Sequence, residues 1–482
     1  MKKGIRLLAL LTGAVLILSS CSGGGVSQIP EKDIREAESI GSFSEGIAYI
    51  TLKNGKQGYI DASGKTIAEA KWDDTYSFQN GAAIVKVKES EDVMKYGVID
   101  KTGKTIIEPK WDDISRDSDS SLFIVTMKKG EDQKTCQVLN AEGKQAFAGE
   151  WDSLSFASGL LLASKDGKYG YLSETGETVI PFEYTDAGGF SDDGFAKVKK
   201  DGLWGLIDRQ GNVLVAPSYE EMKVSDNQIW VKTTEGHYCR IKKDGSVIVD
   251  LTSMFDNINL LASKNKADME IDLFDPSFIA LSDDSTSVSV MIHTVAVSGT
   301  WLNFLVSDVL LVNNREVVLP FLDKGYVVSG LSKGAKGQYI ARLNPLGIDP
   351  KYNSSKKLEI KYDEKACGLI DSKGDTIAAP GRYESISYNE KLGMYAVKMN
   401  GLYGFMNADG DLVVYPYYDS YNSLSDGLMA VKKGSLWGYI DRAGNVIIPV
   451  QYQKARTFDG GYAAVQDHDG WHIIDTSGKV VY

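Results

Sequence analysis

"GLWGLIDRQGN", residues 202–212, recurs almost unchanged as "SLWGYIDRAGN" at 435–445. With two glycines and an aspartate, such a cluster suits either a phosphate-cradling loop or a structural turn. The spacing of its landmarks decides between them. Trp204 stands seven residues before Gly211, and the same step links Gln57–Gly64, Tyr96–Gly103, Cys136–Gly143, Tyr169–Gly176, Tyr238–Gly245, Cys367–Gly374, Tyr403–Gly410, Trp437–Gly444 and Trp471–Gly478. These ten anchor glycines are separated by 39, 40, 33, 35, 34, 129, 36, 34 and 34 residues, which marks a repeat array with one interruption.

Each repeat reads as strands and turns. "GFAKVKK" (194–200) and "GLMAVKK" (427–433) alternate apolar and polar residues, the pattern of a half-buried strand. A glycine-containing turn leads to a second strand, "WGLID" or "WGYID". Next comes a four-residue turn opened by Asp and closed by Gly: the Asp side chain accepts a bond from a backbone N–H two residues on, and Gly takes the left-handed conformation. A third apolar strand delivers an aromatic eight residues after the glycine, at Trp72, Trp111, Trp151, Tyr184, Tyr219, Tyr418 and Tyr452. The expected unit is a three-stranded meander of about 35 residues, too small to bury a core alone, with the two aromatic slots as staples between neighbours.

This pattern resembles the bacterial WG-containing β-repeat family, at Trp204, Gly205, Asp208 and Gly211 and again at Trp437, Gly438, Asp441 and Gly444. The resemblance covers roughly 42–256 (repeats 1–6) and 361–482 (repeats 7–10). It implies an all-β array in exported or surface proteins and brings no catalytic residues with it. Two repeats depart from the pattern: the third has Cys136-Gln137 and Asn140, and the sixth has Tyr238-Cys239 and Lys242. An open superhelical or solenoid-like array accommodates any number of units and an insertion, and is the expected arrangement. Propeller-like rings of six and four units are the alternative, disfavoured because a propeller blade has four strands.

The interruption at 257–360 lacks the WG pattern but holds alternating runs such as "SVSVMIHTVAV" and "TWLNFLVSDVLLV". About seven short strands separated by Asp/Ser/Asn/Gly turns predict an inserted Ig-like β-sandwich projecting from the array. One or two diverged units with a long loop are the other reading.

The N-terminus has its own logic. Lys2, Lys3 and Arg6 precede an apolar run, Leu7–Leu18, too short to span a bilayer comfortably. It ends in Leu18-Ser19-Ser20-Cys21, which resembles a bacterial lipobox. Residues 1–20 are then a lipoprotein signal peptide, Cys21 is the lipidated residue, and 21–41 is a flexible Gly/Ser-rich tether. An ordinary signal peptide with an incidental cysteine is the alternative. The expected location is the cell envelope, outside the cytoplasm, with the membrane reached through the lipid.

Losing residues 1–20 removes three basic residues and no acid, leaving 50 Lys/Arg against 65 Asp/Glu. That balance argues against nucleic-acid binding and polybasic membrane attachment. Cys136, Cys239 and Cys367 occupy repeat slots and read as buried thiols. His468 and His472 in "DHDGWH" (467–472) read as a hairpin tip rather than a metal site, and His293 has no companions. The Asp-rich loops at 117–120, 191–194 and 282–285 lack dedicated Ca²⁺-ligand spacing. No cofactor motif or catalytic signature occurs, so the expectation is a non-enzymatic scaffold that binds a protein or a cell-envelope polymer. The competing expectation is a polysaccharide-binding protein or a glycoside hydrolase using acids such as Asp192, Asp193 or Asp275. Repeat-slot aromatics read as core rather than as sugar-stacking platforms.

Overall fold

The computed structural model describes residues 27–130, 133–225, 228–250, 277–282, 285–289, 295–297, 300–302, 309–313, 315–320, 326–345 and 366–482. Units are numbered here by their anchor glycines, Gly64 being in unit 1 and Gly478 in unit 10.

Unit 9 shows the plan. Strands Ser420–Tyr421, Leu428–Lys433, Leu436–Asp441 and Val446–Tyr452 follow one another in sequence and in the sheet, each antiparallel to the next. The expected three strands are therefore four. The extra strand is a short segment just past the third-strand aromatic of the preceding repeat, two residues at Asp74–Thr75 and Asp186–Ala187 and five at Ser385–Asn389.

The second strand of each unit is covered on both faces. In unit 9, Met429 and Val431 pack with unit 8 residues such as Phe405 and Tyr418, while Leu428 and Ala430 pack with unit 10 residues such as Phe458 and Val465. Alternate side chains thus serve opposite neighbours, so the alternation expected of a half-buried strand here divides two buried faces. The described residues share no single core. They form a series of small clusters, each shared by two consecutive units. Burying one such aliphatic side chain is worth about 1.5–3 kcal/mol, which no unit realises without its neighbour.

Gly205 and Gly211 do different jobs. Along the second and third strands Trp204 pairs with Tyr219, but Leu206 pairs with Val215, so the third strand bulges across Gly205. A Cβ on Gly205 would lie 2.5 Å from the Val215 carbonyl oxygen and 2.7 Å from the Pro217 nitrogen, both backbone atoms. Gly438 is crossed in the same way by Ile448 and Val450. Gly211, at φ +85°, ends the turn that Asp208 begins. One Asp208 carboxylate oxygen accepts the backbone N–H of Gln210 at 2.9 Å and of Asn212 at 2.8 Å; the other accepts the Asn212 side-chain amide at 2.8 Å. Asp441 holds Asn445 in the same way, and Gly444 is at φ +87°. Units 3 and 6 keep this turn despite their departures: Asn140 accepts from the backbone of Glu142 and Lys144, and Gly245 N–H donates to the Lys242 carbonyl.

The anchor glycines also set the stacking. Gly211 lies against Ile180 of unit 4, Gly245 against Val215 of unit 5 and Gly478 against Ile448 of unit 9. Each turn is seated on the third strand of the unit before it. Gly64 of unit 1 follows the same rule, and the residue it meets is Tyr482, the last of the chain.

That contact reports how the array ends. Terminal units of an open array would each leave one face to solvent. Here Ala464, Trp471 and Ile473 of unit 10 share a cluster with Ala48, Ile50 and Ile60 of unit 1. The Trp471 indole N–H donates to the Ala37 carbonyl at 3.0 Å, and Arg456 Nε donates to the Ile40 carbonyl at 2.7 Å. Turn contacts repeat as well: Asp426 of unit 9 accepts the Gly461 N–H of unit 10 at 2.7 Å, and Glu45 of unit 1 accepts the Gly81 N–H of unit 2 at 3.0 Å. The last unit therefore meets the first as any unit meets its neighbour. The expected open array is corrected to one whose ends join, and separate rings of six and four units do not form, because unit 10 occupies the free face of unit 1.

Two boundaries also move. Of the tether expected at 21–41, residues 27–41 are packed: Ile29, Ile34, Ala37 and Ile40 are buried in the closing junction, with a short helix at Glu31–Arg35. Four apolar side chains in an otherwise polar stretch gain a shared apolar seat there. The Ig-like sandwich expected at 257–360 also loses residues. Tyr326–Lys333 and Gln338–Pro345 are the first two strands of unit 7, in one sheet with Ala366–Asp371 and Thr376–Tyr383. Upstream, Ser277–Ser282, Ser285–Ser289, Val309–Val312 and Arg315–Val317 make another four-stranded antiparallel meander. A separate hairpin, Val295–Val297 with Thr300–Leu302, lies in sequence between its second and third strands. Gly374 of unit 7 is seated on Val317 and Val318 of that meander, as every anchor glycine is seated on its predecessor. The described part of the interruption therefore follows the diverged-unit reading.

Candidate functional site

The WG landmarks are consumed by backbone geometry. Trp204 is half-buried with Lys197 Nζ 4.3 Å and Lys199 Nζ 5.4 Å from its ring centre, and Trp437 is half-buried beneath Lys432. The stapling aromatics are elsewhere. Trp72, Trp111, Trp151, Tyr184, Tyr418 and Tyr452 on the third strands are buried, as expected. The position after the WG glycine adds a second staple that sequence reading missed. Tyr59, Tyr171 and Tyr439 are fully buried, and their hydroxyls donate to the carbonyls of Tyr76, Gly188 and Arg456 in the next unit at 2.6, 2.6 and 2.7 Å. Burial pushes all three phenols well above the ordinary tyrosine range.

These staples fix the segment between the short first strand and the second strand of each unit. In unit 10, Tyr439 holds the Arg456 carbonyl, and its ring meets Phe458 edge-on at 4.8 Å. In unit 9, Tyr421 sits 5.2 Å from Tyr403 and 5.1 Å from Phe405, and Asn422 N–H donates to the Ala430 carbonyl. Four consecutive units so bring these segments together around one cavity of about 540 Å³. Unit 8 supplies Asn389; unit 9 supplies Tyr421, Asn422 and Ser423; unit 10 supplies Arg456 and Thr457; unit 1 supplies Ser42. Ser42 reaches this wall because unit 10 meets unit 1. Arg456 spends Nε on the Ile40 carbonyl, and its guanidinium lies 5.6 Å from the Trp471 ring centre. Asn389 accepts the Leu392 N–H at 3.0 Å. No lining residue is acidic.

A second cavity of about 560 Å³ lies between units 2 and 3 and mixes Lys104 and Arg116 with Asp100, Asp119 and Glu142. Arg116 is held there by the backbone carbonyls of Gln79 and Ala82 and by the ring of Phe123, with its centre 5.2 Å away, so it serves as a cap on a turn.

The remaining sequence candidates fall as follows. Cys21, Asp275, His293 and Asp283–Asp284 lie outside the described residues. Asp192 and Asp193 are exposed in the tight turn between Ser191 and Gly194. The turn at 117–120 is closed by Asp117, which accepts the Asp119 N–H at 2.8 Å. His472 Nε2 is 3.0 Å from Asp467, and its Nδ1 is 3.2 Å from an Arg35 nitrogen, so the ring joins the N-terminal helix to unit 10. Asp467, His468 and Asp469 lie near one another in the hairpin turn, with His468 and Asp469 exposed. Cys136, Cys239 and Cys367 are buried and unpaired, and burial pushes the Cys367 thiol up to about 12.

A sequence model described as "WG containing repeat" matches residues 58–89, 96–130, 169–204, 204–245, 368–403, 403–437 and 437–471, together just over half of the chain. The chain belongs to the WG containing repeat family. Its matches leave out 131–168, where unit 3 carries Cys136, Gln137 and Asn140. No curated protein matches the chain significantly. Among solved structures, it is similar to a eukaryotic initiation factor at 9% identity and TM-score 0.38, over 84% of this chain and 96% of that one. BamB from Moraxella catarrhalis gives 13% identity and TM-score 0.28, over 66% and 96%. The computationally designed Ika8 protein gives 12% and 0.26, over 80% and 98%. At such scores none of them sets the arrangement or the role of this WG-repeat protein.

Proposed function

We propose that this WG-repeat protein is an exported, lipid-anchored bacterial scaffold whose ten repeats present a binding surface at the cell envelope, to a protein or an envelope polymer. One observation carries the reading. The residues that define the repeat, Trp204, Gly205, Asp208 and Gly211, are spent on a bulge, a turn and their packing, while the segments after the short first strand border cavities and change between units, as at 42–46, 117–121 and 389–393. A frame of constant geometry with variable inserts is how repeat proteins recognise partners.

The lipobox-like Leu18–Cys21 supplies the anchor in this reading. Cys21 precedes Ser27, the first described residue, by six positions, a reach of about 20 Å even when fully extended. A lipid on Cys21 would then hold the array close against the bilayer. No helix among the described residues is long and apolar enough to cross a membrane. Replacing Cys21→Ser and fractionating cells tests the anchor: the variant should leave the membrane fraction, and retention there would refute lipidation. Affinity capture from envelope extracts with the full-length protein tests the scaffold role, and enrichment of neither a protein nor a glycan would refute it.

A further inference from the structure

The cavity at the closing junction has a chemistry unlike the rest of the chain. The sequence carries 65 acidic residues against 53 basic ones, yet the cavity wall contains no carboxylate and one arginine. The other wall residues end in hydroxyls or amides. The side chains of Ser42, Asn422, Ser423 and Thr457 make no hydrogen bond within the described residues, so their donors and acceptors remain for a ligand. A hydroxyl is donor and acceptor at once, as is each hydroxyl of a sugar.

Arg456 adds a charge in a fixed place. With Nε held by the Ile40 carbonyl and the plane resting near Trp471, its two terminal nitrogens have no acceptor among the described residues. A planar fork of that kind matches a carboxylate, and one guanidinium matches one negative charge. Tyr421, wedged between Tyr403 and Phe405, contributes an aromatic surface that is itself held rigid. At about 540 Å³ the space is within the range of small-molecule sites, roughly 300–1,000 Å³.

We propose that this cavity binds a carboxylated oligosaccharide of the uronic-acid type. This rests on the scaffold reading above and gives it a site and a ligand class. A peptide is disfavoured because its apolar side chains would meet a wall of hydroxyls and amides. A polyphosphate is disfavoured because it crowds several charges side by side against a single cation, whereas a uronic-acid chain carries one per sugar and can set one on Arg456 while leaving the others in solvent.

The test is calorimetric titration of the full-length Cys21→Ser protein with tri-galacturonate, with cellotriose as the neutral sugar and tri-glutamate as the acidic peptide. Tri-galacturonate should bind, and cellotriose about tenfold or more weakly, since the charged hydrogen bond is lost. Thr457→Tyr, which fills the cavity without touching the Arg456–Ile40 contact, should weaken binding by about tenfold or more. Arg456→Gln should bring tri-galacturonate down to the level of cellotriose. Absence of tri-galacturonate binding, equal binding of the two sugars, tighter binding of tri-glutamate, or indifference to Thr457→Tyr would each overturn the proposal. The scaffold reading would survive all four, because its own test is partner capture from the envelope.

Discussion

Trp471→Ala tests whether the array is joined end to end. Trp471 is fully buried at the junction of units 10 and 1, and its indole N–H holds the Ala37 carbonyl. Removing a buried tryptophan costs about 3–5 kcal/mol in transfer and cavity terms. Leaving the carbonyl orphaned adds about 1 kcal/mol. Much of this cost falls on residues more than 400 positions away in sequence. Hydrogen exchange followed by mass spectrometry should show residues 31–40 and 47–60 exchanging about 100-fold faster or more, since 1.4 kcal/mol is tenfold. Trp471→Phe keeps most of the apolar contact and should give a smaller acceleration in the same segments. Trp437→Ala, in the corresponding but half-buried slot of unit 9, should affect units 8–10 and leave 31–40 unchanged. If Trp471→Ala loosens only units 9 and 10 while 31–60 keeps its protection, the junction does not hold in solution and the reasoning fails.

Three further outcomes are expected. Gly438→Ala places a Cβ 2.6 Å from backbone atoms of Ile448 and Val450 and should cost about 1–3 kcal/mol, whereas Gly434→Ala, with open space around a φ of +62°, pays backbone strain alone; equal losses in Tm would refute the bulge explanation. The side chains of Asn212 and Asn445 hold the Asp208 and Asp441 carboxyls below their usual range, and Ser246 and Ser477 do the same for Asp244 and Asp475. A depressed folded pKa means the unfolded chain binds protons first, so this stabilisation is present above about pH 4 and is lost as pH falls through the folded values; urea midpoints that stay flat from pH 6 to pH 3 would contradict it. Asp459 works in the opposite sense, because burial and the nearby Asp426 and Glu45 raise its pKa, and its destabilising charge is relieved as the pH drops. Finally, with Cys367 pushed up to about 12 and Cys136 and Cys239 also buried, the folded Cys21→Ser protein should resist thiol labelling until denatured, and rapid labelling of any of the three would refute their burial.

The repeat was legible because its landmarks answer to local rules. Asp208 and Gly211 fix one turn and Gly205 one bulge, so each recurrence could be recognised without knowing its neighbours. Non-local features were not legible. The extra strand is only two residues long in several units, as at Asp74–Thr75, and so short a segment carries no period. Closure depends on units 1 and 10 accepting each other, and nothing in Trp471 or Ala37 alone tells that they meet. Tyr326–Lys333 and Gln338–Pro345 carry no WG mark, so their membership of unit 7 emerges only from their pairing with Ala366–Asp371. The cavity was hidden for a related reason. Ser42, Ser423 and Thr457 share one position of a short recurring turn segment that carries no WG landmark, and only the junction brings Ser42 beside the other two. The one available signal was position, a few residues past each third-strand aromatic, where variation costs the frame nothing.

The seat of Gly64 on Tyr482 has one more implication. Ser27 N–H is bonded to Glu69 and Tyr482 lies against Gly64, so the first and last described residues lie on the same short stretch of unit 1. The junction between them repeats the turn seating found between other units and adds the Glu31–Arg35 helix and the Trp471–Ala37 hydrogen bond. A circular permutant of residues 27–482, opened in the loop between units 4 and 5 and with Ser27 joined to Tyr482 by a linker, would therefore retain the packing contacts of the junction. What the natural opening point determines is which pair of neighbours is held together without a covalent bond, and how near that seam lies to any anchor at Cys21.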